Sequence, residues 1–209
     1  MADFSWNTQS PLERALVPGH HGVTGTQVGV MLEEVRDINL VQVMARRGKV
    51  VETVKAAKKV FGVEPPSTPG TAAGRHATLI WSGPDQFIAF SARSERDHFS
   101  KLSDAFAGVA SLSDQSDGRC LIRIGGPRAR QALSKFCSLD LDDRAFPPGA
   151  AATTSIDHTA TNIWRGADSS DGHAVFHILV FTSFADSLWH TIQDAALEYG
   201  VQASLAHTA

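Results

Sequence analysis

Residues 119–149, RCLIRIGGPRARQALSKFCSLDLDDRAFPPG, carry the reading of this chain. They join an alternating strand over 120–124, a Gly125-Gly126-Pro127 corner, an amphipathic helix over 127–136, an acidic loop and a Phe146-Pro147-Pro148-Gly149 turn. Glycine permits a sharp exit from a strand, and a proline in the first helical turn loses no hydrogen bond because its N–H would be unpaired anyway. A helix start beside Arg128 and Arg130 also has the ingredients of an anion site, although most Gly-Pro corners only turn the chain. Phe146 reads as the anchor of its loop, whose prolines limit the entropy lost on ordering.

Upstream, residues 1–25 mix Ser, Pro, Gly and His without a sustained period and read as an extended N-terminal arm. Trp6 has little of its own domain to pack on there, so it is the candidate partner contact. Residues 26–209 read as one domain of two halves, about 26–108 and 109–200. In the first, VGVMLEEV and INLVQVMAR form strands around Arg36-Asp37, expected to pair as a hairpin. Val50, Val54, Ala57 and Phe61 then share a helix face that Gly62 stops. After a Pro/Gly linker, strands at 76–81 and 87–91 flank the turn Gly83-Pro84-Asp85-Gln86, and a helix capped by Ser94 carries Phe99, Leu102 and Phe106. The second half places strands at 109–112, 120–124, 151–157, 160–165 and 173–181, with helices at 127–136 and 183–199. The element order predicts an α+β fold: a ββαββα-type duplication giving two ferredoxin-like halves, each an antiparallel sheet with helices on one side.

With 209 residues, 43% of them hydrophobic, the chain can bury a substantial core. Its 22 acidic and 19 basic residues leave a formal charge of −3, and the cations are scattered, which argues against a nucleic-acid partner. No apolar run reaches the length of a membrane span and the first residues lack a signal-peptide core, so a cytoplasmic protein without membrane contact is expected. Cys120 and Cys137 fit reduced, buried thiols.

The residues that could carry chemistry do not assemble into a motif. A dinucleotide site needs G-x-G-x-x-G directly after a strand, and the glycines at 19, 22, 25 and 29 follow none. His173 and His177, four apart on an expected strand, would stand about 13 Å from each other, too far for one metal ion. Ser82 in WSGPD lacks the glycine two residues before a nucleophile elbow. Asp140, Asp142 and Asp143 read as a solvated turn, and the four tryptophans mainly as packing residues. No catalytic, cofactor-binding or metal residue is therefore assigned from the residues themselves.

The stretch 119–149, together with FGVEPP and LIWSGPDQFIAF between Phe61 and Phe90 and SFADSLWHTIQDAALEYG at 183–200, resembles the gamma subunits of heterotetrameric sarcosine oxidases. The likeness extends to the folate-binding domain of glycine-cleavage aminomethyltransferases. It implies a non-catalytic gamma chain packed mainly against a large alpha subunit, in a complex with beta and delta subunits. Such complexes use FAD, FMN and NAD on partner chains to oxidise the N-methyl group of sarcosine, pass the one-carbon unit to tetrahydrofolate or release formaldehyde, and form hydrogen peroxide. Gly125, Gly126, Pro127, Phe146, Pro147 and Gly149 are the matching motif positions, with architectural roles implied. Two alternatives stay open. One is a gamma-like subunit of an N-methyl amino acid dehydrogenase such as N-methylglutamate dehydrogenase. The other is a free-standing folate or aminomethyl-transfer protein, for which Asp85, Asp157 or Asp171 would supply the pterin-binding carboxylate.

Overall fold

Along Arg119–Gly125, Cys120, Ile122 and Ile124 are buried on one face and Leu121 on the other. A strand apolar on both faces needs a layer against each, and that requirement shapes the protein. The structure, a computed structural model, describes residues 9–24, 27–93 and 98–207. In chain order its first elements are β1 (Gly19–His21), β2 (Val30–Arg36), β3 (Ile38–Ala45), α1 (Val50–Phe61), β4 (Thr71–Ala73), β5 (Thr78–Gly83) and β6 (Gln86–Ala92). There follow α2 (His98–Ala105), β7 (Ala110–Asp114), β8 (Arg119–Gly125), α3 (Ala129–Leu133), β9 (Ala151–Ile156), β10 (Thr159–Arg165), β11 (Val175–Phe181), α4 (Thr182–Ala196) and β12 (Val201–His207).

Two sheets pack face to face with helices outside each. The larger has the order β1-β12-β2-β8-β11-β10-β9 and the smaller β4-β5-β6-β3-β7. Every pairing is antiparallel except β12 with β2. Between the sheets, Leu40, Ile80 and Ile88 meet Leu121, Trp164 and Leu179. Outside the larger sheet, α3 and α4 bury Leu133, Trp189 and Ile192 against Ile122, Ile124 and Phe176. Outside the smaller one, Phe61 of α1 and Phe106 just after α2 pack with Phe87 at ring separations of 6.4 Å each.

The expected duplication of ferredoxin-like halves is present, but its frame is β-α-β-β-α-β. β3-α1-β5-β6-α2-β7 forms one half. β8-α3-β10-β11-α4-β12 forms the other, with β2 inserted between β8 and β12. The hairpin expected around Arg36-Asp37 is therefore absent: β2 pairs with β8 and β12, while β3 pairs with β6 and β7. A single linking residue, Asp37 at φ 58°, is too short for a hairpin loop and instead carries the chain from one sheet to the other. β7, C-terminal to the expected boundary near 108, likewise completes the smaller sheet.

Part of the expected arm lies on the domain. Leu12 and Ala15 are buried in the layer beneath α3 and α4, the Ser10 hydroxyl bonds the Glu34 carboxylate, and β1 pairs with β12. A cut at residue 25 would thus remove core side chains as well as the tail. Trp6 and the Ser94 cap lie outside the described residues. Among the described residues no helix is long and apolar enough to cross a membrane.

Candidate functional site

Cross-strand register places one row of chemically distinctive side chains on the inner face of the larger sheet. Ser204 of β12 stands opposite Glu33 of β2, Glu33 opposite Arg123 of β8, Arg123 opposite His177 of β11, and His177 opposite Trp164 of β10. Directly opposed side chains in a sheet are close enough to interact. Arg123 Nε donates to Glu33 at 2.6 Å, and the Ser204 hydroxyl donates to the same carboxylate at 3.3 Å. The His177 and Trp164 rings stack with centroids 5.0 Å apart and planes 4° from parallel. Phe90 of the smaller sheet meets Trp164 at 5.8 Å, so the indole ties the two sheets together.

Arg123 and His177 separate two cavities. The larger, of about 680 Å³, extends toward Met31, Gly125, Pro127, Asp171 and His173. The smaller, of about 400 Å³, lies toward Arg75, His76 and Phe90. The larger volume falls within the range of small-molecule sites. Its charges, however, are largely engaged with one another through the Glu33–Arg123 pair.

Burial, and to a lesser degree the positive charge of Arg123, pulls the His177 pKa down to about 4, so the ring is neutral at neutral pH. Its Nδ1 is buried without a hydrogen-bond partner. The unfolded chain binds this proton at about pH 6.5 and the folded chain only near 4. Stability from the neutral ring is therefore complete above pH 6.5 and is lost as pH falls from there through 4. His177→Gln should remove about 2 kcal/mol of that acid-side loss, read as a flatter urea midpoint between pH 6.5 and 4. Parallel pH profiles for the two proteins would show that the imidazole does not contribute.

Each expected motif position has a definite place. Gly125 ends β8 and Gly126, at φ 109°, turns the chain toward α3. α3 spans only five residues, and Arg130 turns away to Asp143 and to the Leu141 carbonyl, which leaves the anion reading of this corner without support. Phe146 is buried against Phe176 at a ring separation of 6.4 Å. Gly149 donates to the Arg165 carbonyl at 2.9 Å and accepts from Thr71 at 2.7 Å, so the loop through Pro147 fastens β10 to β4 of the other sheet.

The remaining candidates are spread out. His177 lies in β11 but His173 falls in the preceding loop, because that strand begins at Val175, and both line the larger cavity. Asp140 and Asp142 accept backbone N–H bonds from Asp142 and Arg144, as turn residues do. Asp85 sits at a hairpin tip at φ 57°, Asp157 accepts from Thr191 of α4 at 2.7 Å, and only Asp171 of the three pterin candidates borders the larger cavity. Burial pushes both thiols, Cys120 and Cys137, upward in pKa, which keeps them protonated and poor nucleophiles. Among the described residues no group of three or more His, Cys, Asp or Glu side chains is gathered to hold a metal ion.

Sequence reasoning missed the buried Arg165. Its guanidinium bonds Asp168 and the Gly166 and Val175 carbonyls, and lies 5.2 Å from the Phe176 ring. An arginine closing a strand carries no local mark of burial. The Glu33–Arg123–His177–Trp164 row was equally hidden, since its members come from four strands.

Residues 76–208 match the GCVT N-terminal domain, and the chain belongs to that family. It is similar to the sarcosine oxidase gamma subunit of Corynebacterium sp. strain U-96, with 28% identity over 195 residues, covering 90% of this chain and 86% of that one. The gamma subunit from an Arthrobacter species is also 28% identical, over 83% of each chain. A chain of the heterotetrameric sarcosine oxidase of Corynebacterium sp. U-96 superposes with a TM-score of 0.74 at 26% identity, over 92% of this chain and 96% of that chain. Aminomethyltransferase T of Bartonella henselae shares the fold, with a TM-score of 0.62 and 13% identity over 87% of this chain and 48% of its own. The resemblance carried by residues 119–149 and the two flanking stretches is thus borne out.

Proposed function

We propose that this chain is the non-catalytic gamma subunit of a heterotetrameric, flavin-dependent sarcosine oxidase. The observation that carries the reading is its similarity to sarcosine oxidase gamma subunits over most of both chains, together with the superposition on a chain of a heterotetrameric sarcosine oxidase. In such a complex the N-methyl group of sarcosine loses two electrons and a proton to a flavin. The resulting one-carbon unit passes to tetrahydrofolate or leaves as formaldehyde, and the reduced flavin passes its electrons to oxygen to give hydrogen peroxide. FAD, FMN and NAD sit on partner chains in this reading, and the alpha, beta and delta subunits are the partners.

The site geometry favours an architectural role. A folate pocket needs a free carboxylate and an aromatic wall for the pterin. Here the Glu33 carboxylate is already held by Arg123 and Ser204, and the Trp164 indole already packs on His177 and Phe90. Neither group of this row is free to receive a pterin, and the lining of the larger cavity, which includes Asp171, holds no Phe, Tyr or Trp among the described residues. What the chain contributes in this reading is a two-sheet body whose half-buried polar row is paired largely within itself and whose outer surface is offered to other subunits.

The test is isolation of the native assembly through a tag on the full chain. Yellow material containing three further subunits, with sarcosine-dependent hydrogen peroxide formation, is the expected result. A colourless, solitary protein that binds tetrahydrofolate would overturn the reading in favour of an independent folate protein. Yellow material that turns over N-methylglutamate without peroxide would make the complex a dehydrogenase.

A further inference from the structure

The two cavities that meet at Arg123 and His177 differ in charge. The larger is lined by two acids, Glu33 and Asp171, as well as by Arg123. The smaller, of about 400 Å³, has two arginines in its lining, Arg75 and Arg123, and no carboxylate among the described residues. Its volume is large enough for a small organic molecule. Phe90 of the smaller sheet and Leu121 of the larger one give it apolar walls, while Arg75 and His76 stand exposed at its solvent side.

The arginines keep donors in reserve. Arg123 spends its Nε on Glu33, and among the described residues neither terminal nitrogen of its guanidinium has a hydrogen-bond partner. Arg75 forms no side-chain hydrogen bond or ion pair among them. The loop that carries it is nevertheless fixed: the Gly74 N–H donates to the Ala77 carbonyl and the Arg75 N–H to the Phe61 carbonyl, each at 2.9 Å. Two cations held on ordered backbone around a cavity without an acid make a field that favours an anion. The planar fork of a guanidinium matches a carboxylate in particular.

We propose that the smaller cavity binds a small organic carboxylate, held by the terminal nitrogens of Arg123, with its apolar part against Phe90 and Leu121 and with Arg75 attracting a second acidic group at the mouth. The inference goes beyond the subunit reading and does not depend on it. The apolar walls select an organic acid over an inorganic anion, whose hydration they cannot replace. The lack of a carboxylate in the lining selects against a pterin, which calls for one.

Succinate is the probe, because its two carboxylates suit two arginines, and the His177 ring proton signal of the full chain, assigned by its loss in His177→Gln, is the readout. Succinate should shift that signal saturably. It should also raise the His177 pKa from about 4 by about 1, since an anion beside Arg123 offsets the positive charge that helps to depress it. Arg123→Met should weaken succinate binding at least about tenfold and Arg75→Gln about threefold. Arg75 is exposed, so its variant keeps the fold and decides the matter even where Arg123→Met does not fold. The absence of a saturable shift at tens of millimolar succinate overturns the proposal, as does a folded variant of either arginine that binds succinate as tightly as the parent. Inorganic phosphate bound as tightly as succinate would reduce the cavity to an unselective anion site and overturn the carboxylate assignment. Tetrahydrofolate that displaces succinate overturns it by making a pterin the occupant.

Discussion

Replacing Gly126 by alanine should destabilise the protein by about 3 kcal/mol and lower its melting temperature by roughly 10 °C. The residue has φ 109°, a conformation that side-chain-bearing residues rarely adopt. A Cβ there would lie 2.7 Å from the Gly29 carbonyl oxygen and 3.3 Å from its carbonyl carbon, both of them backbone atoms that cannot rotate away. That carbonyl is committed, since it accepts the Arg128 N–H at 2.9 Å, and Gly29 itself donates to the Tyr199 and Gly200 carbonyls at 2.9 and 3.0 Å. Moving it would disturb the start of β2 where it inserts between β8 and β12. Gly125→Ala is the internal control. Its Cβ would meet only Val175 Cγ2 at 3.4 Å and a carbonyl at 3.5 Å, ordinary van der Waals distances, so its cost should stay below about 1 kcal/mol. Thermal melts of the two variants decide the matter, and a Gly126→Ala protein melting within about 2 °C of the parent would refute the close-approach argument.

Arg165→Ala should cost roughly 3 kcal/mol, with Arg165→Met recovering about half of it. The side chain is 1% exposed, so its removal opens a cavity beside Phe176 and takes a donor from the Gly166 and Val175 carbonyls, of which the second still accepts the Gly166 N–H. Its acidic partners, Asp168 and Asp143, are 47% and 62% exposed and stay hydrated after the change, which keeps the loss near the lower end for a broken buried pair. Methionine refills the volume without the charge, and the gap between the two variants in urea unfolding measures the ionic share. A loss below about 1 kcal/mol for the alanine variant would mean that the site collapses easily and that Arg165 is dispensable to the core.

Most elements were legible from local pattern. The helix 50–61 is specified by Ala57 and Phe61 at helical spacing and by Gly62, whose N–H bonds the Lys58 carbonyl at 2.9 Å in the left-handed conformation glycine allows. β8 through β11 lie within two residues of where alternation placed them. The omissions are short or built from small side chains. β1 and β4 have three residues each, and β12, VQASLAH, lacks the bulky residues that mark a strand. The hairpin expected at Arg36-Asp37 misled because adjacent strand patterns suit pairing equally well with each other or with strands far along the chain.

The sequence by itself determined the class of the protein. Strand and helix periods, the Gly125-Gly126-Pro127 corner and the Phe146-Pro147-Pro148-Gly149 turn are properties of short segments, and they carried the resemblance before any contact was known. Tertiary structure alone decided which strands became neighbours, because pairing energy depends on register between segments far apart in the chain. The Ser204–Glu33–Arg123–His177–Trp164 row exists only after that pairing, its first contact spanning 171 residues of sequence.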